Sequence, residues 1–487
     1  MSEIKKLLEQ SSHYFVGRIV IIAAGFISFP ILTRVFSVSD YGILSLITTT
    51  VLIITAITKL GFPESIVRFY AEFKAKNQLD NFYSTFFLSS VAVSGIVGFL
   101  CFLSTRLMYK SLDENVLSLI PLLCILIFTG CVTMTLTTYL RAEQRTKLYN
   151  LIGVIQRYGS LTLSIFLMFY IVKGLYGFYV GQMISGILGL ILLVYIEREW
   201  LKISFSHFSI GILKDSFKFG FPLVWGELGH LLLNYADRYL IQFYLGSISV
   251  GLYTAGYNLA TYATEMIMYP INYAMTPIYL NILVNKGEEE TREFFTKTFR
   301  YFLLIMFAVV FGFIAVGRDL IRFLATERYS GTYDVLPYIV VGQSVYACSI
   351  VLNNGLFIKK KTYLMTIIMI VACGLNVGLN TILIPRFGIV GAAQATLIAN
   401  VFYTIVVTYY AFKEFKFRID YGSGFLYLLS GGAMCLIISG INGGSPLKNL
   451  VTRIPAGALL YGALIFVLDR DVRGAVLRMV GRSRVGT

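Results

Sequence analysis

Residues 217–273 carry the side chains with the most chemistry in the chain. Glu227, His230, Asn234, Asp237, Arg238, Asn258 and Glu265 interrupt a stretch otherwise apolar enough to lie in a bilayer. Wound as a helix at about 100° per residue, Glu227, His230, Asn234 and Arg238 fall on one stripe. Asn258, Tyr262, Glu265, Tyr269 and Asn272 make a second stripe on the next apolar segment. A charge near the bilayer centre costs about 2.5–3.5 kcal/mol on the insertion scale, so such faces turn to partners or to water. Cations placed there can hold a phosphate-bearing headgroup. Carboxylates with raised affinity for a proton can bind and release one, or hold Na⁺. The pair of helices is expected to line the pathway of a transporter, with the remaining chain as its walls.

Further charges lie in other apolar segments. Arg18 stands in the first, Lys59 near the end of the second, and Arg157 deep in the fifth beside Gln156. Together with Arg238 these arginines are candidates for an anionic substrate. Asn234, Asn258 and Tyr262 are candidates for its polar remainder. Glu227, Asp237 and Glu265 are candidates for coupling to H⁺ or Na⁺. Tyr253, Tyr257, Tyr262, Tyr269 and Tyr273 crowd one helix, and a tyrosine offers both a ring face and a hydroxyl to a sugar. Structural pairing accounts for several of the same residues. Arg238 can meet a carboxylate, and Lys59 or Arg18 can snorkel to the interface. The later amides Gln343, Asn353, Asn354, Asn376, Asn380 and Gln394 fit helix–helix hydrogen bonds as well as substrate contacts.

The elements that must position these groups are legible in the composition. Of 487 residues, 57% are hydrophobic and 14% charged, where a soluble chain would have about a quarter charged. Mean hydropathy is +0.74. About 14 segments reach the length of roughly 20 apolar residues that a spanning helix needs. They lie near 13–35, 40–61, 83–104, 115–139, 149–172, 175–196, 217–243, 248–273, 299–317, 334–357, 363–384, 388–411, 424–441 and 451–468. Continuous runs such as QMISGILGLILLVYI at 182–196 exclude the alternation of a membrane barrel. The expected fold is therefore all-α and polytopic. The first segment lacks the pattern of a cleaved signal and is expected to remain as helix one.

Lysine and arginine set the expected orientation. With the N-terminus inside, the inner loops and termini hold 27 Lys and Arg against about ten outside. Both termini are then cytoplasmic. The net charge of +15 is mainly this topology signal, with anionic membrane lipids as its partner and no nucleic acid. Segment 64–82 and the basic tail after residue 468 are candidates for helices on the membrane surface. The six cysteines show no CxxC spacing and the three histidines no metal motif. There is no P-loop, zinc motif or GxSxG elbow, so neither an enzyme nor a soluble cofactor is expected. A glycan polymerase or ligase would need a larger outer loop. A weak repeat sets FSVSDYGILS at 36–45 beside LGSISVGLYT at 245–254, pairing Gly42 with Gly251. It suggests parallel halves beginning at helices one and seven.

Three motifs carry a family resemblance. PILTRVFSVSDYG with GFPESIVRF in 30–73, YLRAEQRTKLYNLIG at 139–153 and RFGIVGAAQATLIAN at 386–400 resemble the Wzx-type polysaccharide flippases. These belong to the multidrug/oligosaccharidyl-lipid/polysaccharide exporter superfamily. The resemblance implies two six-helix lobes in a V around a central cavity, with two extra helices. The corresponding division is 1–205, 206–415 and 416–487. It implies flipping of undecaprenyl-pyrophosphate-linked oligosaccharide across the cytoplasmic membrane by alternating access. Partners would be that lipid-linked glycan and, downstream, the polysaccharide polymerase and chain-length machinery. In that picture Arg18, Arg157 and Arg238 would meet the pyrophosphate. Lipid II flippases and drug/cation antiporters of the same superfamily are the alternatives.

Overall fold

The computed structural model describes the backbone of residues 2–108, 114–198 and 202–483. Its regular structure is helical, with no strand among the described residues. Among the described residues, ten helical stretches are long and apolar enough to cross a membrane by length and composition. The expected count of about 14 differs for identifiable reasons. One 53-residue stretch contains two expected spans, Ile19–Val35 is apolar but shorter, and the two polar-striped helices are not among the ten. The chain divides into two compact units, Met1–Ser28 with Ile43–Ala236, and Phe29–Gly42 with Asp237–Thr487.

The first unit draws on α1 (Ser2–Val35), α2 (Val38–Thr58), α3 (Phe62–Ala75), α4 (Leu79–Met108), α5 (Glu114–Ala142), α6 (Thr146–Tyr170), α7 (Leu175–Glu197) and α8 (Ile210–Leu245). The segment expected as a surface helix at 64–82 is helical over Phe62–Ala75, in α3, and from Leu79 in α4. Its core is aromatic: Phe62, Phe82, Phe86 and Tyr139 are buried together with Ile66, Leu136 and Leu193. The Tyr139 hydroxyl donates to the carbonyl of Tyr83 at 3.0 Å, which satisfies it within that packing. The chain breaks between α2 and α3, where Leu60 and Gly61 adopt φ of 50° and 75°. A Cβ at Gly61 would lie 2.2 Å from the carbonyl oxygen of Gly220 on α8. Glycine is therefore required there by both conformation and contact. Ser65 completes the junction by donating to the carbonyl of Ser216 at 2.8 Å.

The second unit contains α9 (Ser247–Lys286), α10 (Glu288–Ala325), α11 (Leu336–Leu352), α12 (Asn354–Ile358), α13 (Thr362–Glu414), α14 (Tyr421–Ser439), α15 (Pro446–Leu468) and α16 (Arg470–Ser483). α13 is the pair of spans expected at 363–384 and 388–411, broken at Gly388 with φ 61° and ψ −143°. Pro385 precedes the break and cannot donate a helical hydrogen bond. The repeat glycines meet in this unit. A Cβ on Gly42 would sit 2.1 Å from the Ser247 carbonyl oxygen and 2.9 Å from the Gly251 nitrogen.

One arginine ties the end of this unit together. Arg300 on α10 donates to both oxygens of Asp469 at 2.7 and 2.8 Å, to Asp471 at 2.6 Å and to the Tyr427 hydroxyl at 3.0 Å. Asp469 is the residue between α15 and α16, so the bonds fix where the amphipathic α16 departs. Burial pushes the Asp469 carboxyl up, yet the hydrogen bonds from Tyr427, Arg300 and the Val472 N–H hold it below the usual carboxylate range. Asp420 is likewise held low by the Ser423 hydroxyl and N–H.

Candidate functional site

In the second unit the site grows from the C-terminal part of α8. Asp237 and Arg238 are buried, at 0% and 1% exposure. Asp237 accepts hydrogen bonds from the Tyr253 hydroxyl of α9 and, at 3.4 Å, from the Thr396 hydroxyl of α13. Asn376 donates to the Thr396 oxygen at 3.3 Å, and Asn380 donates to the Asn376 amide oxygen at 3.0 Å. Two oxygens remain under-used. Asp237 Oδ1 has only Arg238 Nη1 at 3.6 Å, and Asn380 Oδ1 has no hydrogen-bond partner. The Arg238 guanidinium lies over the Tyr257 ring, 4.6 Å from its centroid. Tyr257 in turn accepts from Gln343 on α11 at 2.6 Å. Asn258 donates to the Tyr41 hydroxyl at 3.0 Å.

The arrangement is a buried carboxylate with an arginine on one oxygen and hydroxyl donors on the other. Hard cations take oxygen ligands of this type. No group of three or more His, Cys, Asp or Glu residues suited to a metal occurs among the described residues. The breaks and spacings of the sequence place the arrangement. Asn376 and Asn380 are four residues apart and so share one side of α13, and Thr396, beyond the Gly388 break, links Asn376 to Asp237.

The first unit holds a different set. Lys59, only 6% exposed, sits at the α2–α3 break and pairs with Glu227 at 2.5 Å and Glu64 at 3.8 Å. The expected stripe on α8 is thus divided: Glu227 is held by Lys59 in this unit, and Arg238 is enclosed in the other. Asn234 donates to the His230 carbonyl at 2.7 Å along the same helix. On α9, Tyr262 and Glu265 are half-buried. The side chains of Arg18, Tyr269 and Tyr273 lie outside the described residues.

Arg157 is exposed on α6 and opens into a cleft of about 400 Å³ within the first unit. Gln156 and Ser160 on α6, Gln182 and Ser185 on α7, and Thr129 and Thr133 on α5 share the lining. One cation beside several amides and hydroxyls can hold an anionic group with a polyhydroxylated neighbour. The sequence pointed to Arg157 and Gln156. It did not point to Gln182, Ser185 or the threonines, because these types are common in membrane helices and only the fold gathers them. Glu64 and the role of Lys59 as the partner of Glu227 were also missed. The GFPES motif was their only signal.

Among the described residues the structure is all-helical, with ten stretches long and apolar enough to cross a membrane, which defines a polytopic membrane protein. Residues 7–283 match the family described as "Polysaccharide biosynthesis protein", and the chain belongs to that family. It is 21% identical over 267 residues to "Probable flippase AglR" of Haloferax volcanii, an alignment that takes in 53% of this chain and spans about half (55%) of that relative. Among solved structures, lipid II flippase MurJ in its inward closed conformation is similar with TM-score 0.77 at 15% identity, covering 96% of this chain and 99% of that one. An inward-facing multidrug resistance MATE family transporter of the MOP superfamily is similar with TM-score 0.62 at 15% identity, over 80% of this chain and 96% of the other. At these identities the structural likeness is one of fold.

Proposed function

We propose that this chain flips undecaprenyl-pyrophosphate-linked oligosaccharide from the cytoplasmic to the outer leaflet of the cytoplasmic membrane. The observation that carries the reading is the cleft of the first unit, where Arg157 stands among two glutamines and four hydroxyl side chains. Arg157 holds a phosphate oxygen, and the amides and hydroxyls take the sugar. Membership of a polysaccharide biosynthesis family supports a glycan as cargo, and the Haloferax relative, a probable flippase by name, supports flipping as the activity. In this reading both termini are cytoplasmic, and the polymerase and chain-length machinery receive the product.

Asp237 supplies the coupling step. The protein alternates between access to either side, and a cation bound by Asp237, Asn380 and Thr396 biases that equilibrium through its differential affinity for the two states. Na⁺ or H⁺ can fill this role. Glu227, paired with Lys59, and Glu265 are the other carboxylates available for coupling. Arg157→Ala and Gln182→Leu, expressed at normal membrane levels in cells lacking the native protein, test the cargo assignment. Strongly reduced surface glycan is the expected result. Full export by both variants would remove the cleft from the account.

A further inference from the structure

Tyr139, Glu143 and Arg145 of the motif at 139–153 belong neither to the Arg157 cleft nor to the Asp237 cluster. They lie where α5 gives way to α6. Gln144 turns the chain at φ 60°, and the Arg145 N–H returns to the Leu140 carbonyl at 2.9 Å, which closes the end of α5. Glu143 is well held there. Its Oε1 accepts from the Tyr83 hydroxyl of α4 at 2.5 Å, and its Oε2 pairs with Arg145 at 3.4 Å.

A second glutamate stands beside it. The single return helix α6 separates α5 from α7, so these two run in the same direction. Leu193 of α7 is buried in the same core as Tyr139 and Leu140 of α5. One turn beyond Tyr139 is Glu143, and one turn beyond Leu193 is Glu197, the last residue of α7. Glu197 is 3% exposed, and its Oε1 has no hydrogen-bond partner among the described residues. The charges that reach it are those of Glu143 and Arg145, and the phenol of Tyr139 interacts with it too. Tyr83 of α4, with Tyr70 of α3 behind it, is the ionisable group on the far side of Glu143. Burial disfavours a carboxylate, and a second carboxylate nearby adds to the cost. The negative end of a helix dipole acts in the same sense.

We propose that Glu197 and Glu143 form a proton-binding pair. Glu197 takes one proton from water as an O–H bond on its carboxyl, and Glu143, tied to Tyr83 and Arg145, stays ionised. A proton needs no open pocket. Glu143 and Arg145 are 15% and 33% exposed, and transfer through water at these groups reaches the buried carboxyl. Release of the proton sets two carboxylates against one arginine and pushes the end of α7 away from the α5–α6 turn. The middle sections of α5, α6 and α7 line the Arg157 cleft, so the pair ties that cleft to the pH of the water at this end of the helices. This last step rests on the cargo reading above; the proton site itself does not.

Thermal unfolding of the purified full chain between pH 5 and 8, native against Glu197→Gln, tests the site. The folded native chain keeps a proton that the unfolded chain gives up above the ordinary glutamate range, so its stability falls as pH rises. The variant has no proton to lose at this position. Its melting temperature should gain on the native value by at least about 3 °C from pH 5 to pH 8. Both chains keep Asp237, so titration there cancels in the comparison. In an Arg145→Gln background the gain should grow, because the cation beside the pair is gone. Hydrogen exchange over 193–197 at pH 8 should be several-fold faster in the native chain than in Glu197→Gln. Parallel melting curves, a difference that narrows toward pH 8, or equal exchange at pH 8 would each overturn the proposal. If Glu197→Gln does not fold, exchange in the native chain decides the point: protection over 193–197, corrected for the intrinsic rate at each pH, must fall from pH 6 to pH 8. The cargo reading is tested apart. Surface glycan that survives Arg157→Ala would remove the cleft and leave the melting result untouched.

Discussion

Replacing Asp237 with Asn removes a single negative charge from the middle of the second unit while keeping the side chain's shape. Two consequences follow from the geometry. The first is structural. Arg238 Nη1 lies 3.6 Å from the Asp237 carboxylate, and at an effective dielectric of 20 the attraction at that distance is about 4–5 kcal/mol. Leaving the arginine buried without that charge costs about 3–5 kcal/mol by comparison with other broken buried pairs. Stacking on Tyr257 keeps part of the stabilisation, so a folded but less stable protein is expected. The second consequence is functional. A cation bound only by the folded state stabilises it by about 2.7 kcal/mol at one hundred times its dissociation constant. For units of about 200 residues that corresponds to a rise in melting temperature of roughly 5–10 °C. The assay is thermal unfolding of purified protein in matched sodium and choline salts, across pH 5–8. The native chain should gain stability from sodium, or from protons if the proton is the coupling ion, and Asp237→Asn should lose that gain. Asn380→Leu should weaken it. Unfolding of the native chain that is indifferent to both sodium and pH would refute a cation site at Asp237.

Other outcomes follow from the same contacts. Arg157→Ala should abolish or strongly reduce glycan export with membrane levels unchanged, measured by surface glycan staining. Glu227→Ala should destabilise by less than the roughly 3–5 kcal/mol of a fully orphaned buried lysine, because Glu64 stands 3.8 Å from Lys59. The double variant Glu64→Ala with Glu227→Ala should reach the full cost, and a double-mutant cycle in denaturant checks the difference. Gly61→Ala should prevent accumulation in the membrane, since its Cβ would meet the Gly220 carbonyl at 2.2 Å. Asp469 is held below the usual carboxylate range, so its contribution to stability is full at neutral pH and is lost as pH falls through its lowered folded value. The melting-temperature gap between the native chain and Asp469→Asn should therefore be large at pH 7 and close on acidification.

The fold was largely readable because membrane helices write themselves as apolar runs. The breaks were less readable. A loop was expected at 385–387, just before the break at Gly388, and Gly61 was not singled out at all. Both act through positive φ and close backbone approach, which leave no hydrophobic signature. The site was readable by residue type and not by grouping. Glu227, Asp237 and Arg238 stood out as charges in apolar sequence. Periodicity placed Glu227 and Arg238 on one stripe, yet a helix of 36 residues is long enough for its two ends to answer to different neighbours. Lys59 pairs with Glu227 across 168 positions of chain, and Thr396 reaches Asp237 across 159. Contacts of that range come from packing, which no local pattern encodes. Asn376 and Asn380 were visible as an amide pair, but their neighbour could not be named.

The central claim is the direction and identity of the cargo. Leaflet assignment of radiolabelled lipid-linked oligosaccharide, in cells depleted of this protein and then resupplied with it, tests that claim most directly. The account predicts accumulation on the cytoplasmic side, reversed when the protein returns and not reversed by Arg157→Ala. Normal appearance of the labelled lipid in the outer leaflet without the protein would contradict it.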